Sequence, residues 1–496
     1  MNNKMMKNLI YISILVLTGM LFSCQKQIAY VNTYTTSADQ TRKMQKDSIR
    51  INQNPDSISG KSQIMVDASV KYQQMDGFGV AITGSSCYNL LKMTPENRHK
   101  LLKEAFDPKE GYGYSYIRIS IACSDFSLEE YTYCDVPGIE NFAIHELDKR
   151  DLFPILKEIL AINPDVKIIA SPWTCPKWMK VEDLKSLKPF DSWTSGQLNP
   201  KYYQDYATYF VKYLTAMKNE GFDIDAVTVQ NEPLNRGNSA SLYMTWQEQR
   251  DFIKTALGPA FEKAGVKTKI VVYDHNYNYD DNKPENADQQ HYPLKIYADA
   301  EASKYIDGAA YHAYGGDKKE MLYVHNQRPD KNLYFTEISI GNWDSGYQFG
   351  EDLMWNIREV CIGTINYFCK AVIVWNFMLD DNHGPWRPLG CNMCLGAIDI
   401  DSKDYTTMTK NSHYYEMAHL SKVVKPNAYR IKAESINLSD KIYFTAFENP
   451  DGSYSMLIQN DSDAEQKINV VEGGNSFVSL LPAKSVTSYI WSSDYK

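Results

Sequence analysis

The chain has 496 residues, room for more than one domain, and its 23% charged and 43% hydrophobic content is that of a folded protein rather than a disordered one. A net charge of −9 excludes a dedicated nucleic-acid binder, which needs a basic face.

The N-terminus reads as a leader. Lys4 and Lys7 precede an apolar run from Leu9 to Phe22, followed by Ser23 and Cys24. The run is short for a membrane span, and a basic flank with a short apolar core reads as a secretory signal over residues 1–23. The ending L-F-S-C resembles a bacterial lipobox. That implies cleavage before Cys24 and a lipid on its sulfur. The mature chain is then exported and tethered to a bacterial outer membrane, touching the membrane only through that anchor. Residues 24–60 are polar and without period, and read as a flexible spacer. Residues 61–75 read as one or two strands.

From Asp76 strands and helices alternate. Apolar runs predict strands at 77–82, 115–121, 166–172, 226–230, 269–273, 308–312, 333–336 and 371–375. The helices between them carry start signals: Thr94-Pro95, Asn199-Pro200, and the Thr245-x-x-Glu248 capping box. Repeated strand–helix units imply a parallel sheet, and eight of them imply a closed (β/α)8 TIM barrel over residues 76–415. After that the pattern changes to short alternating strands, with an Asn449-Pro-Asp-Gly452 turn between two of them. Residues 416–496 therefore predict a small antiparallel β-sandwich, joined by the strands of 61–75. Eight cysteines besides Cys24 are too few for a disulfide-built scaffold. Cys391-x-x-Cys394 has no second pair and no neighbouring histidines, which argues against zinc and leaves their pairing open.

Parallel barrels keep their chemistry at the C-terminal strand ends. Strand two ends on Arg118 to Asp125, strand three on Trp173, strand four on Asn231-Glu232, and strand six on His312 to Tyr314. Strand seven ends on Glu337, and strand eight on Trp375-Asn376. Two carboxyl groups at one mouth are what glycosidic cleavage requires, one to protonate the leaving oxygen and one to attack the anomeric carbon. Asn231 is placed to hold the sugar 2-hydroxyl, and Trp173 with Trp375 to floor the ring. Trp343, Trp386 and the Asp380–His383 stretch are candidates for outer subsites.

These residues carry a resemblance. D-G-F-G at Asp76–Gly79, Y-I-R at Tyr116–Arg118, S-D-F-S at Ser124–Ser127 and A-S-P-W-T-C-P-K-W at Ala170–Trp178 resemble glycoside hydrolase family 30. So do N-E-P at Asn231–Pro233, Y-H-A-Y at Tyr311–Tyr314, T-E at Thr336-Glu337 and W-N at Trp375-Asn376. The resemblance implies a barrel fused to a sandwich and a retaining mechanism. It makes Glu232 the acid/base and Glu337 the nucleophile. Arg118, Trp173, Asn231, His312, Tyr314 and Trp375 fall on positions that shape the subsite, and no metal or organic cofactor is implied. One departure stands out. Glucosylceramidase-like members carry an Asp where V-A-I-T-G-S-S places Gly84. Losing that carboxylate points away from a closed exo-acting pocket and toward an endo-β-1,6-glucanase acting on a β-glucan polysaccharide or oligosaccharide. The competing readings are an exo-acting β-glucosidase, glucosylceramidase, β-xylosidase or β-fucosidase, and more remotely a glycan-binding lipoprotein without activity.

Overall fold

The computed structural model describes residues 29–53, 62–278, 288–343 and 345–492. The leader and Cys24 lie outside the described residues. Eight parallel strands are present: β1 (Gly77–Val80), β2 (Tyr116–Ile121), β3 (Lys167–Pro172), β4 (Ala226–Thr228), β5 (Lys269–Asn276), β6 (Ile306–His312), β7 (Asn332–Glu337) and β8 (Cys369–Val374). They hydrogen-bond in the order β1-β8-β7-β6-β5-β4-β3-β2. A bridge between Ala81 and Arg118 joins the two ends of that order, with Ser115 N donating to Phe78 O (2.9 Å) and Ile82 N to Arg118 O (2.8 Å). Closure needs a residue without a side chain, because a β-carbon on Gly79 would lie 2.1 Å from Tyr116 O. The barrel interior is filled by Tyr116, Ile169, Ala226, Val271, Ala310, Tyr334, Ala371 and Ile373, so it is a packed core and not a pore. The larger apolar cluster lies outside it, between strands and helices.

The helices start where their caps stand. Thr94 Oγ1 accepts from Asn97 N, and Thr245 with Glu248 completes both halves of its capping box. At the lower end of the barrel, Asp76 is buried and meets Lys167 (2.8 Å), Lys370 (3.5 Å) and Lys269 (3.8 Å). Burial pushes the Asp76 carboxyl up, and these ammonium groups outweigh it, so its pKa is lowered.

The second domain is one ten-stranded sheet that encloses its own apolar cluster, centred on Ile64, Ile458, Val470 and Tyr489. It departs from the sequence reading at several points. Residues 24–60 are not simply a spacer, because Tyr30–Ser37, Gln45–Arg50 and Asn52–Gln53 are strands of this sheet. They are polar because their Thr and Ser side chains bond across the sheet, as Thr35 Oγ1 does to Thr487 Oγ1 (3.0 Å), so low hydrophobicity did not mean disorder. Tyr429–Ile436 is a further strand that the sequence did not suggest. The sheet is not wholly antiparallel either, since Gln63–Gln74 runs parallel to Gln466–Glu472. The boundary at 415 falls inside a helix, Ser412–Val423, which joins the two domains. His419 on it is fully buried, bonded through Nδ1 to Ser488 Oγ (2.7 Å) and through Nε2 to Thr36 Oγ1 (2.8 Å). Cys391 and Cys394 form a disulfide, and Cys87, Cys123, Cys134, Cys175, Cys361 and Cys369 are buried free thiols.

Candidate active site

The upper end of the barrel opens into a cavity of about 410 Å³. Among its lining residues are Glu232, Glu337, Asp125, Tyr314, Trp343 and Trp375. Glu232 follows β4 and Glu337 ends β7, and both side chains are nearly buried. One carboxylate oxygen from each, with one ring nitrogen of His312, lies within a 4.8 Å group. That spacing belongs with the roughly 5–5.5 Å of retaining glycosidases rather than the roughly 6.5–9.5 Å that leaves room for an attacking water.

Glu232 sits at φ +44°, a left-handed conformation that an ordinary side chain avoids. Its own N–H donates to Asp274 O (2.9 Å), and Asn231 N donates to Pro172 O (2.8 Å). These bonds hold the turn that aims the carboxylate into the mouth. Oε1 meets His312 Nδ1 (3.1 Å), and Oε2 accepts from Asn235 Nδ2 (2.7 Å). Burial pushes its pKa up, but the His312 hydrogen bond and the neighbouring His275 and His312 charges bring it down to about 2.

Glu337 is held from two sides. Arg118 Nη1 donates to Oε2, and Tyr314 OH donates to Oε1 (3.1 Å). Burial is the largest influence and raises its pKa, while the His312 and Arg118 charges oppose that rise. His312 is fully buried and bonded on both nitrogens, to Glu232 and, through Nε2, to Asp274 Oδ1 (3.0 Å). Burial lowers its pKa, but the Glu337 charge and the bonds to Asp274 and Glu232 outweigh burial and raise it to about 9.

Asp274 is the residue that sequence reasoning missed. It is completely buried at the centre of the network. Its oxygens accept from Arg118 Nη2 (2.8 Å), Ser171 Oγ (3.0 Å), Thr228 Oγ1 (2.7 Å), His312 and Thr336 Oγ1 (2.7 Å). Burial raises its pKa, and Arg118 and His312 more than reverse that, holding it well below the usual carboxylate range. The signal was the D-H-N run directly after the predicted end of strand five at Tyr273. The strand continues to Asn276 through a register shift, with Tyr273 at φ +73° and Asp274 at φ +60°. That irregularity turns Asp274 inward. His275 beside it is buried, and its Nδ1 accepts from Asn276 N (2.8 Å). Burial is the main reason its pKa is lowered to about 4.

The structure separates the expected sugar-binding residues into two groups. Asp125, Tyr314, Trp343 and Trp375 line the cavity. Burial, with the Glu337 and Glu232 charges added, raises the Asp125 carboxyl well above its ordinary value. Arg118, Trp173 and Asn376 stand behind that surface. Arg118 is fully buried and spends its donors on Ser171, Glu337, Asn231 and Asp274, with its guanidinium beside the stacked rings of Trp173 (4.9 Å) and Trp375 (5.4 Å). It orients the nucleophile rather than the sugar. Trp173 is 1% exposed and stacks on Trp375 at 5.3 Å, so Trp375 alone of the two is a floor and Trp173 supports it. Asn376 is fully buried and its Oδ1 accepts from Thr83 Oγ1 (2.8 Å). Asn231 Oδ1 accepts from Arg118 Nη2 (2.7 Å), which fixes the amide and makes Nδ2 the group left for a substrate hydroxyl.

One further expectation changes. Asp380 Oδ1 accepts from Asn382 N and Gly384 N (both 2.9 Å), so it caps its own turn instead of walling a subsite. A β-carbon on Gly84 would lie 3.4 Å from Ser127 Oγ. Glu232, His312 and Glu337 could also be read as a metal trio. Arg118 on Glu337 and the bonds of His312 to two carboxylates already supply the positive charge, which disfavours a cation there.

Comparison with known proteins agrees with this architecture. Residues 75–424 match the glycosyl hydrolase family 30 TIM-barrel domain, and residues 427–489 the glycosyl hydrolase family 30 beta sandwich domain. The chain is similar to a solved endo-beta1,6-glucanase, with 56% identity and a TM-score of 0.89 over 94% of this chain and 99% of that one. It is 28% identical to the endo-1,6-beta-D-glucanase of Aspergillus fumigatus over 88% of this chain and 89% of the relative. It is also 28% identical to the lysosomal acid glucosylceramidase of Mus musculus over 85% of this chain and 82% of the relative.

Proposed function

The chain belongs to glycosyl hydrolase family 30, and from that premise we propose that it is a retaining endo-β-1,6-glucanase. The observation that carries the chemistry is the pair Glu232 and Glu337, facing each other across one barrel mouth within 4.8 Å. The substrate is supported by the likeness to the solved endo-beta1,6-glucanase across nearly the whole chain.

Glu337 acts as nucleophile. Its ionised oxygen forms a bond to the anomeric carbon as the glycosidic C–O bond breaks. The departing oxygen takes a proton from Glu232. Glu232 and His312 share that proton across the 3.1 Å bond between Oε1 and Nδ1, and the carboxylates around His312 raise its hold on it. In the second half Glu232 takes a proton from water, and the hydroxide displaces Glu337 from the sugar. Asp274 and Arg118 hold both partners in register. Digestion of a linear β-1,6-glucan, with product sizing and anomer assignment, tests this reading. Oligosaccharides of several lengths with the β-anomer first support it. Glucose alone from the first minutes, or the α-anomer first, overturns it.

We also propose export and tethering through a lipid on Cys24, supported by the Lys4–Lys7 flank, the short apolar run and the L-F-S-C ending. Among the described residues no helix is long and apolar enough to cross a membrane. The full chain should partition into the detergent phase, and Cys24→Ser into the aqueous phase. A full chain found in the aqueous phase defeats the idea.

A further inference from the structure

The Cys391-x-x-Cys394 motif is not used by the chemistry above, yet its position is specific. Six other cysteines are kept as free thiols in the core, while this bridge lines the cavity that holds Glu232 and Glu337. Cys394-Leu395 pairs antiparallel with Ile340-Gly341, and Asn342 N donates to Met393 O (2.8 Å). Gly341 in turn seats Trp343, since a β-carbon there would lie 2.2 Å from the indole. The paired strands therefore bring the bridge and Trp343 into the lining of the same cavity. The same loop is fixed across the mouth by Arg387. Its N–H donates to Asp125 O (2.7 Å), Nη1 to Leu128 O (2.6 Å) and Nη2 to Glu130 Oε2 (2.8 Å). Residues 387–394 thus form a strap from the loop after β2 to the loop after β7. Between those anchors Leu389 and Met393 are exposed, which leaves the bridge as the cross-link at the strap's far end.

We infer that the Cys391–Cys394 bridge is a specificity-determining wall of the sugar cavity, holding Trp343 against a glucose unit beside the cleaved bond. This rests on the glucanase reading. Two sulfurs and the face of an indole ring offer a soft, polarizable apolar surface. Such a surface suits the C–H face of a pyranose and is fixed in place by a covalent bond instead of by packing. It touches neither carboxylate, so it governs how a chain is gripped and not how its bond is cut.

The test compares the bridged enzyme with the Cys391→Ser/Cys394→Ser variant on β-1,6-linked gluco-oligosaccharides of increasing length. KM should rise about tenfold on every member of the series, since each of them fills the site beside the cleaved bond. Values of kcat should stay within about twofold of the bridged enzyme, since the lost contact is one of uniform binding. Should the variant fail to fold, folded wild-type enzyme is treated with a dithiol, which gives two electrons and two protons to the bridge and leaves as a cyclic disulfide. Native alkylation counts the two new thiols, and the same KM rise is expected. Unchanged KM across the series overturns the proposal, and so does an equal fall in kcat on every substrate with KM constant. If wild-type enzyme cleaves a different β-glucoside and not the β-1,6 series, the glucanase reading fails separately, and the length comparison is run on the substrate it does cleave.

Discussion

At the lower end of the barrel Asp76 meets three lysines, and at the upper end Glu232 meets Glu337. Both places bury carboxylates in the same fold. At the bottom, three lysines, Lys167, Lys269 and Lys370, surround Asp76 and remain partly exposed, with Lys269 also paired to Asp225 (3.1 Å). The Asp76 proton has one settled answer, which is absence. At the top, Arg118 and His312 are wholly buried and face three carboxylates, Asp274, Glu337 and Glu232. There the catalytic proton lies within a buried network, on the 3.1 Å bond between His312 and Glu232. A structural ion cluster settles its charges, whereas a catalytic one leaves a proton free to move.

The sharpest way to break this contrast is Glu337→Gln. Removing the nucleophile should lower kcat by roughly 10⁴-fold or more with the fold retained. A rate near wild type would mean that the upper cluster is no more chemical than the lower one. Asp274→Asn comes next. It strips Arg118 and His312 of their shared anion, and breaking so buried a pair should cost about 3–5 kcal/mol of stability. Activity should fall with it, and denaturant melts with rate measurements on the same preparation check both.

The third prediction concerns pH. His312 has its pKa raised to about 9, so the His312–Glu232 pair keeps its proton below that pH and loses it above. The ratio kcat/KM should therefore decline as pH rises toward 9, and His312→Asn should move that decline to lower pH. A profile unchanged by the substitution would show that the proton never rests on the imidazole. The smallest effect is expected at the bottom. Because the Asp76 pKa is lowered on folding, its stabilising contribution is present above roughly pH 4 and is lost as pH falls through the folded value. Asp76→Asn should cost roughly 1–2 kcal/mol at neutral pH. It should also flatten the acid side of the stability profile and leave kcat within about twofold.

Much of this layout was legible in the residues. Eight short apolar runs alternating with helices, three of which carry clear start signals, point to a parallel barrel. Glu232 and Glu337 were legible because they end two of those runs. Asp274 was not, because the ladder shifts at Tyr273 and a strict period of two stops one residue short. Which strand-end residues face the cavity was also hidden. Trp173 and Trp375 look alike in sequence, and stacking alone puts one behind the other. The strands at 30–53 were read as a spacer because Thr and Ser look hydrophilic. Their partners, such as Thr487, lie more than four hundred residues away.

The imidazole of His419 has a consequence for how the molecule comes apart. It ties the first strand and the last to the helix that closes the barrel, and burial lowers its pKa to about 3, so it enters these bonds uncharged. Separating the domains therefore breaks both of these bonds and exposes the apolar surface packed around them. In a calorimeter, barrel and sandwich should absorb heat as one peak, and a gene cut after the barrel should yield an insoluble product.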